Sequence, residues 1–258
     1  MRTLTNGYLF GSIKSTILIS KAEIKFISSL GHKKYRDKHD LFIAETPKVV
    51  SEFYEAGFKL HSCFADMAVD LDIPATPISD RELKRISQLT NAHGCLAVFE
   101  KPPAAECDFS GLILALDGVR DPGNLGTIVR LCDWFGVGHL LCSFDTVDCY
   151  NPKVVQASMG SLARVAVHYV DLEAAFGQRE MPVYASDMHA PSVYETKLSL
   201  PAILVMGNEG QGISKAIMDR ATQRIAIPSY GEGQSAESLN VAAATAILLG
   251  EFRRSTER

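Results

Sequence analysis

The stretch VMGNEGQGIS, residues 205–214, carries the strongest local signal in this sequence. An apolar run, 202–206, leads into a turn with three glycines, and a helix-like segment follows. In α/β proteins this strand–turn–helix layout forms ligand-binding loops, since glycine lets a ligand approach the backbone closely. Glu209 in the turn would repel a phosphate, the Walker lysine is missing, and Lys215 stands at the third glycine of GxGxxG. The turn therefore indicates a ligand other than phosphate, although an ordinary glycine-rich turn explains it equally well on its own.

The second half of the sequence alternates regularly between apolar runs and helix-like segments. The predicted strands are 112–116, 139–142, 165–169, 182–186, 202–206 and 224–228. Asn151 followed by Pro152 predicts one helix start, as an N-cap with a first-turn proline. The alternation predicts an α/β fold in which a parallel sheet has helices on both faces.

The segment EKPPAAECDFSG, residues 100–111, has the composition of a linker and divides the chain. Two apolar runs and two helix-like segments precede it, at 40–45, 59–65, 46–56 and 79–89. This pattern predicts a small α/β unit before the linker. We therefore expect three parts: a flexible leader over 1–15, a small domain over 16–105 and a larger domain over 106–258.

The composition is that of an ordinary globular protein, with 47% hydrophobic and 22% charged residues among 258. The formal net charge of -4 gives no global sign of nucleic-acid or membrane binding. No apolar stretch approaches the roughly 18 residues that a membrane span needs, and the N-terminus lacks the pattern of a secretory signal. The six cysteines show neither CxxC nor Cys/His metal spacing. We therefore expect reduced thiols, a cytoplasmic protein and no bound metal.

A local basic window interrupts this acidic balance near the N-terminus. Between Lys21 and Lys38, six basic residues stand against the acids Glu23 and Asp37. A local excess of about four positive charges can bind phosphate groups even in an acidic protein. An ordinary solvated helix and loop is an equally good interpretation from composition alone. The candidate nucleic-acid-binding residues are Lys21, Lys33, Lys34, Arg36 and Lys38.

A second polar loop follows the strand-like run 112–116. In LDGVRDPGNLGTIVR, residues 116–130, Pro122 begins a tight turn and Asn124 stands where a helix N-cap belongs. Arg130 lies later in the same helix among apolar neighbours, with Asp133 as its local acidic partner. A guanidinium in such a place either reaches solvent or binds an anion, and the sequence leaves both open.

A third polar loop, residues 228–238, leads into the last helix, which we expect over 238–254. Ser238 could be only the N-cap of this helix, but Asn240 interrupts an apolar segment, where a buried amide needs partners. The helix carries apolar residues almost all round, including Leu239, Val241, Ile247, Leu248, Leu249 and Phe252. A helix that is apolar on every side is buried on every side, so we expect a second subunit to cover it.

Together the three loops resemble the three motifs of the SpoU/TrmH family of RNA 2′-O-ribose methyltransferases. The motifs stand here in the family's order as DPGNLGTIVR, MGNEGQGIS and IPSYGEGQSAESLNVAAATAILLGE, and the resemblance covers 111–254. The segment 21–100 resembles, more weakly, the L30e-like RNA-binding domain often found upstream. The resemblance implies a trefoil-knotted α/β domain of the SPOUT superfamily, with a parallel sheet, behind a small L30e-like α/β domain. It also implies a homodimer built around the knot and S-adenosylmethionine bound in the knot.

The resemblance also implies the site residues. The family's polar active-site positions are matched by Asn124, Arg130, Glu209, Ser238 and Asn240. Its cofactor-holding positions are matched by Met206, Gly207, Ile227, Pro228 and Leu239. A turn without lysine suits S-adenosylmethionine, because this cofactor has a positive sulfonium and no phosphate. The third loop is longer here than in the shortest family forms, around 231–236. The resemblance therefore does not specify which residues form the lip of the cofactor pocket.

Methyl transfer to a ribose hydroxyl requires the oxygen to be aligned behind the methyl carbon, so positioning supplies much of the rate. The family proposal makes the arginine the base, but a guanidinium stays protonated in proteins. We therefore expect Arg130 to act as an electrostatic clamp on the substrate phosphate and the developing alkoxide. The proton would then pass to water or to a nearby polar side chain.

The expected activity is S-adenosylmethionine-dependent 2′-O-methylation of a ribose in structured RNA. The additional small domain favours large-subunit (23S) rRNA over tRNA as the substrate. A non-catalytic RNA-binding homologue is the main alternative, and its mark would be the loss of polar motif residues, which are all present. A dinucleotide-dependent oxidoreductase would need an early GxGxxG and a later acid, and neither is present.

Overall fold

The computed structural model describes residues 19–177, 180–231 and 238–256, and the expected leader over 1–15 lies outside this part of the chain. The elements before residue 101 are α1 (Lys21–Ser29), α2 (Lys33–His39), β1 (Leu41–Glu45), α3 (Pro47–Glu55), β2 (Leu60–Asp66), β3 (Thr76–Ile78), α4 (Asp80–Ile86) and β4 (Cys95–Glu100). Those after it are β5 (Leu112–Asp117), α5 (Pro122–Trp134), β6 (His139–Cys142), α6 (Pro152–Ser158), a 3₁₀ turn (Ser161–Ala163), β7 (Ala166–Tyr169), α7 (Leu172–Gly177), β8 (Val183–Ser186), β9 (Ala202–Gly207), α8 (Lys215–Met218), β10 (Gln223–Ile225) and α9 (Val241–Thr256).

The first group of elements forms a small sheet with the strand order β1-β4-β2-β3. Strand β4 is antiparallel to both of its neighbours, and β3 is parallel to β2. Every residue of β1 is buried, because α2 and α3 of this unit and α6 of the other unit pack against it. The strands and helices predicted in this region correspond to β1, β2, α3 and α4.

The second group forms a larger sheet with the order β10-β8-β9-β5-β6-β7, and every neighbouring pair is parallel. This confirms the predicted α/β fold. The helix start at Asn151 is confirmed as well, because its side chain accepts a hydrogen bond from the backbone N–H of Lys153. The chain runs outward from β5 through β6 to β7 and then crosses to the other side of β5. The strand order thus reverses between β5 and β9, where open parallel sheets bind their ligands.

The two units share one hydrophobic core, although the linker divides their sequences. Residues of both sheets belong to a single buried apolar cluster, and the rings of Phe42 and Tyr150 lie 4.6 Å apart, centroid to centroid. Arg36 and Asp148 form an ion pair of 2.6 Å across the boundary, with side chains only 2% and 11% exposed. The linker composition therefore marks a boundary in the chain but not a boundary in the packing.

Helix α9 differs from the expectation that a second subunit covers it on every side. Leu248 and Phe252 are 1% and 0% exposed within a single chain, because α9 packs on α5 and on the sheet. The Phe252 ring meets the ring of Tyr184 edge-on. Ala243 and Ile247 stay exposed. Most of the apolar composition of α9 therefore reflects the chain's own core, and it is weaker evidence for a dimer than the sequence suggests.

Candidate active site

The loops that follow β5 and β9 emerge side by side, because these two strands are adjacent and parallel. The Nδ2 group of Asn208, after β9, donates to the carbonyl oxygen of Gly118, after β5, at 2.7 Å. Asp117 makes a second connection, since its Oδ2 accepts from the backbone N–H of Ser214 at 2.7 Å. Two sequence motifs far apart in the chain thus form one rim at the point where the strand order reverses.

The glycine-rich turn after β9 is held together by its own backbone. Asn208 and Gly212 exchange two backbone hydrogen bonds, and the side-chain oxygen of Asn208 accepts from the N–H groups of Gly210 and Gln211. Gly207 passes so close to the returning chain that a Cβ atom there would lie 2.3 Å from the carbonyl carbon of Gly212. Only glycine fits at position 207 without moving the turn.

A chain of side-chain hydrogen bonds joins the three polar loops. Asn124 Nδ2 donates to Glu209 Oε1 at 2.8 Å, and Asn240 Nδ2 donates to Asn124 Oδ1 at 2.9 Å. Asn240 is fixed in turn, because its Oδ1 accepts from the N–H groups of Ala242 and Ala243 in the first turn of α9. The fold thereby brings three of the five predicted polar site residues together and fixes the orientation of a carboxylate at the reversal point.

The prediction that Asn124 caps its helix is wrong. Helix α5 begins at Pro122, and its N-cap is Asp121, whose Oδ1 accepts from the backbone N–H of Asn124 at 2.8 Å. Asn124 is the third helical residue, so its side chain can bond Glu209 instead of its own backbone. The cap of α9 is Asn240 and not Ser238, because the Asn240 side chain is the one that reaches the first-turn N–H groups.

Arg130 and Ser238 do not join this chain of hydrogen bonds. Both side chains are exposed, and within the described ranges neither one forms a hydrogen bond or an ion pair with another residue. Asp133, the expected local partner of Arg130, instead accepts from Arg164 Nη2 at 2.9 Å. The structure therefore favours the reading in which the Arg130 guanidinium reaches solvent, where it can meet an anion from outside the chain.

The predicted cofactor-holding residues occupy strand ends and the approach to α9. Met206 is buried in β9, and Gly207 ends that strand. Ile227 and Pro228 follow β10 and are half-buried, whereas the Leu239 side chain is 53% exposed. Most of the expected pocket lip, 232–236, lies outside the described residues. The contacts of these five residues with a ligand stay a prediction.

The loop after β6 adds an exposed ring and an acid that pairs with Arg120, a cation of the loop after β5. Hydrogen bonds from Ser143 and from the Arg120 guanidinium hold the pKa of the Asp145 carboxyl below its usual range. Phe144, beside them in sequence, is 74% exposed. An exposed ring therefore stands at the carboxyl end of β6, next to a basic group on the loop after β5.

Sequence reasoning missed three residues that build the site. Asp117 and Asn208 join the two loops, and Asp121 caps α5. Asp117 and Asn208 each stand at the carboxyl end of an otherwise apolar run. Polar residues in that position of a parallel sheet are the signal that would have found them.

The small unit exposes most of the predicted RNA-binding residues, which are Lys21 on α1 and Lys33, Lys34 and Lys38 on α2. Arg36 requires a correction. Its side chain is buried, and its guanidinium donates to Asp148 and to the carbonyl oxygens of Leu30 and Gly31. Because α2 turns Arg36 inward while its neighbours face solvent, this residue is committed to the core and cannot contact RNA.

The structure bears on the state of the cysteines and on the presence of a membrane-spanning helix. All six cysteines lie among the described residues, and each carries a thiol. In the part of the chain that the structure describes, no helix combines the length and the apolarity that crossing a bilayer requires.

A parallel sheet whose strand order reverses beside a cluster of polar side chains is typical of ligand-binding α/β proteins. The family model for the SpoU rRNA methylase family matches residues 111–250, and the model for an MRM3-like substrate binding domain matches residues 21–97. The chain belongs to the SpoU rRNA methylase family. This confirms the resemblance carried by the three motifs.

Similar proteins match both units of the chain. The 23S rRNA (guanosine(2553)-2′-O)-methyltransferase RlmP of Bacillus subtilis (strain 168) is 29% identical over 244 residues, which cover 90% of this chain and 96% of that protein. A solved structure described as an RNA methyltransferase of the TrmH family, from Porphyromonas gingivalis, is 41% identical with a TM-score of 0.83, over 92% and 99% of the two chains. The AdoMet-bound rRNA methyltransferase from Sinorhizobium meliloti is 28% identical with a TM-score of 0.80, over 92% and 97%. The fold is of the SPOUT class.

Proposed function

We propose that this chain transfers a methyl group from S-adenosylmethionine to a ribose 2′-hydroxyl of RNA. The observation that carries the proposal is the hydrogen-bonded chain Glu209–Asn124–Asn240, which assembles one polar site from three loops at the reversal point. Membership of the SpoU family and the similar methyltransferases support the same activity. A non-catalytic RNA-binding homologue would have no use for this polar chain.

The residues at the site fit S-adenosylmethionine. The turn after β9 offers backbone groups and the Glu209 carboxylate, while the next cation, Lys215, is 89% exposed and pairs with Asp219 at 2.7 Å. An acidic turn without a cation suits a positively charged sulfonium and disfavours a phosphate. When bound, this cofactor supplies an electrophilic methyl carbon. Backbone near Gly207, Ile227 and Leu239 would hold it.

Arg130 would bind the RNA phosphate beside the target ribose and stabilise the alkoxide that forms as the hydroxyl loses its proton. Its guanidinium is exposed, and because a guanidinium has N–H donors and no acceptor, it serves as a donor and not as a base. The Glu209 carboxylate, which Asn124 orients, would lie near the positively charged sulfonium. The proton would leave to water or through this polar chain.

The first test replaces Arg130 by alanine and measures methyl transfer and cofactor affinity separately. We expect the rate to fall by about 10²–10³-fold, the usual loss for one preorganised donor, while the cofactor Kd stays nearly unchanged. Arg220→Ala is a matched control, because Arg220 is another exposed arginine of the same unit and pairs with Glu173, outside the chain of hydrogen bonds at the site. A collapse of cofactor binding in Arg130→Ala would contradict the proposed role.

The second test uses the pH–rate profile of Arg130→Lys to separate a clamp from a base. A clamp keeps part of its function, because lysine still brings a positive charge, so we expect a low and flat profile. A base would instead give activity that rises toward about pH 10, where lysine loses its proton. A steep rise that the wild type lacks would overturn the clamp.

We propose large-subunit (23S) rRNA as the substrate, in preference to tRNA. The small unit matches a substrate-binding domain, and the similar Bacillus protein is named for 23S rRNA. A cavity of about 260 Å³ is lined by the rings of Phe26, His39 and His61, by Lys101 and by the acids Asp40 and Glu100. Phe26 and His39 lie on α1 and α2, the helices that carry the exposed lysines. Lysines that bind phosphates next to rings on which bases stack are a common RNA-binding combination.

Methylation of separated RNAs tests this choice of substrate. With labelled cofactor and unmodified 23S rRNA, 16S rRNA and tRNA, we expect 2′-O-methyl label mainly in 23S rRNA. Reversing the charge of Lys33, Lys34 and Lys38 together should weaken RNA binding and reduce its salt dependence, since phosphate contacts release counterions. Lys84→Glu, on α4 of the same unit, is the control. Label found mainly in tRNA would decide for the alternative substrate.

We also propose a homodimer in which a second copy covers the exposed apolar side of α5 and α9. These helices pack together, and their exposed side chains include Trp134 at 84% and Ile247 at 37% exposure. Ile247→Glu should yield a monomer in sedimentation experiments, whereas Met67→Glu, at a more exposed apolar site in the other unit, should not. A dimer that survives Ile247→Glu and Trp134→Glu would contradict this interface. A trefoil knot and a cytoplasmic location are proposed from the family alone.

A further inference from the structure

Three side chains that commonly bind transition metals meet at the outer edge of the large sheet. Cys107, His139 and His168 are all half-buried, and their ligand atoms lie within 4.8 Å of one another. His139 Nδ1 and His168 Nε2 are 3.1 Å apart. The geometry points to a binding site for a borderline divalent metal such as Zn²⁺, formed by one thiolate and two imidazoles.

The sheet places the two histidines on one face. Strands β6 and β7 are parallel, and His168 stands directly opposite Leu141, two residues along from His139. Side chains two residues apart on a strand share a face, so His139, Leu141 and His168 point the same way. Cys107 approaches that face from the linker, where it packs with Phe109 against the apolar cluster that includes Leu141. The convergence therefore comes from the fold and not from neighbouring positions in the sequence.

The distance between the two imidazole nitrogens is close to that around a bound metal. Two imidazole nitrogens on one tetrahedral zinc lie about 3.3 Å apart, given Zn–N distances of about 2.0–2.1 Å, and a nitrogen and a thiolate sulfur lie about 3.6 Å apart. The histidine pair is already at this spacing. Residues 101–109 have no regular secondary structure, so a small shift of Cys107 can close the remaining gap. Three protein ligands leave a fourth position for water.

The ligand set also selects the kind of metal. Thiolate and imidazole favour zinc, cobalt or copper over magnesium and calcium, which prefer oxygen ligands. On binding, the Cys107 thiol loses its proton to solvent and both histidines bind as neutral imidazoles, so affinity should fall at acidic pH. The metal would fasten the linker between the two units to strands β6 and β7. The inference does not depend on the methyltransferase activity, and it replaces the expectation of no metal drawn from Cys/His spacing.

The test titrates the full-length, tag-free protein, stripped with a chelator, with Co²⁺ and then with Zn²⁺. We expect about one equivalent of Co²⁺ to bind with the thiolate-to-cobalt absorption band of a Cys ligand and to be displaced by Zn²⁺. Zn²⁺ at 100-fold its Kd should raise the Tm by about 5 °C or more. Cys107→Ser should remove the band and weaken Zn²⁺ binding at least about 100-fold, since even groups that only orient a ligand change affinity 10–100-fold.

The control variants separate this site from general metal binding. Cys63→Ser removes a thiol from the small unit, and His189→Gln removes an exposed histidine from the large unit, so neither should change the titration. His168→Gln supports the site if it weakens binding as Cys107→Ser does. Equal Tm values for the metal-free variants and the wild type would show that the fold is kept. Absence of the thiolate band in the wild type, or unchanged binding in Cys107→Ser, would overturn the inference and leave a plain histidine pair.

Discussion

Gly207 is the residue at which the candidate cofactor turn tolerates the least change. Because a Cβ atom at this position would lie 2.3 Å from the carbonyl carbon of Gly212, Gly207→Ala must push the turn away from β9. We expect the variant to lose S-adenosylmethionine binding in calorimetry and to unfold at a lower temperature. Gly210→Ala in the same turn is the matched control, because its nearest neighbour would be Asn208 Oδ1 at 3.6 Å, an ordinary contact. Equal cofactor affinity in the two variants would contradict this reading.

Glu45 makes the stability of the small unit depend on pH. Burial raises the pKa of this carboxyl above its ordinary value of 4.5, although Ser87 and the backbone N–H of Gln88 donate hydrogen bonds to it. A raised folded pKa means that the folded state binds the proton more tightly than the unfolded state. The stabilisation due to Glu45 is thus present below pH 4.5 and is lost as pH rises through the folded pKa.

Urea unfolding of Glu45→Gln and wild type at several pH values tests this sign. The free energy of unfolding of the wild type, relative to Glu45→Gln, should fall as pH rises from about 4.5 and then level off. Glu23→Gln should show the opposite trend, because hydrogen bonds from the hydroxyl and the backbone N–H of Ser20 lower the pKa of Glu23. If the two free-energy differences changed with pH in the same direction, burial would not be what sets the pKa of Glu45.

At the scale of the element, the first turn of α9 combines two roles in Asn240. Its Oδ1 caps the helix, and its Nδ2 donates to Asn124. Asn240→Asp keeps an oxygen for the cap but replaces the donor with a second oxygen. We expect this variant to keep its stability while losing methyl transfer by roughly 10²-fold. Asn240→Ala should lose activity and also about 1 kcal/mol of stability, the usual cost of a missing cap.

Thermal unfolding and single-turnover methyl transfer, measured on both Asn240 variants, check this division. Full activity in Asn240→Asp would mean that the bond to Asn124 has no part in the reaction. Equal destabilisation by both substitutions would mean that the cap depends on more than the Oδ1 atom.

The strands of the large sheet could be predicted from the sequence, whereas their order in the sheet could not. Apolar runs bounded by turns predict the strands of this sheet, because central strands such as β5 and β9 are buried along almost their whole length. Asn124 shows the limit. Its N-cap position is the best local interpretation, but its actual bond is to Glu209, 85 residues away. Only the strand order, which periodicity does not encode, places those two loops together.

Arg36 and α9 show the same limit for burial. The basic window around Arg36 is exposed as a whole, yet this one side chain turns inward to an acid from the other unit, Asp148. Conversely, Leu248 and Phe252 suggested a partner subunit but are covered by the chain itself. Composition predicts that a segment is charged or apolar, and the fold decides which surface each side chain meets.

At the scale of the whole molecule, the buried ion pair Arg36–Asp148 couples the two units. Arg36→Met would leave Asp148 without its partner in a site where both side chains are nearly inaccessible, which should cost about 3–5 kcal/mol of unfolding free energy. Lys33→Met breaks only the exposed pair with Asp37 and should cost less than about 1 kcal/mol. Chemical denaturation measures both. Equal effects of the two substitutions would show that burial adds nothing to the Arg36 pair.

A fragment that starts at Phe109 gives the sharpest test of how far the units depend on each other. The linker composition predicts an independent domain, but the packing opposes it. Helix α6 contacts β1 on one side and α5 on the other, and a Cβ atom at Gly160 would lie 2.6 Å from Glu52. Removing the small unit would expose this apolar surface and leave Asp148 unpaired.

We therefore expect the fragment 109–258 to aggregate or to bind a hydrophobic dye, and to unfold without a sharp transition. Its cofactor affinity should fall as well, because α6 packs on α5, the helix that carries Asn124. The full-length chain, as the control, should unfold in one cooperative transition that takes both sheets together, visible as uniform loss of amide protection across β1 and β5. A soluble fragment with cooperative unfolding and full cofactor affinity would show that the shared core is dispensable and that the boundary in the sequence is also a boundary in stability.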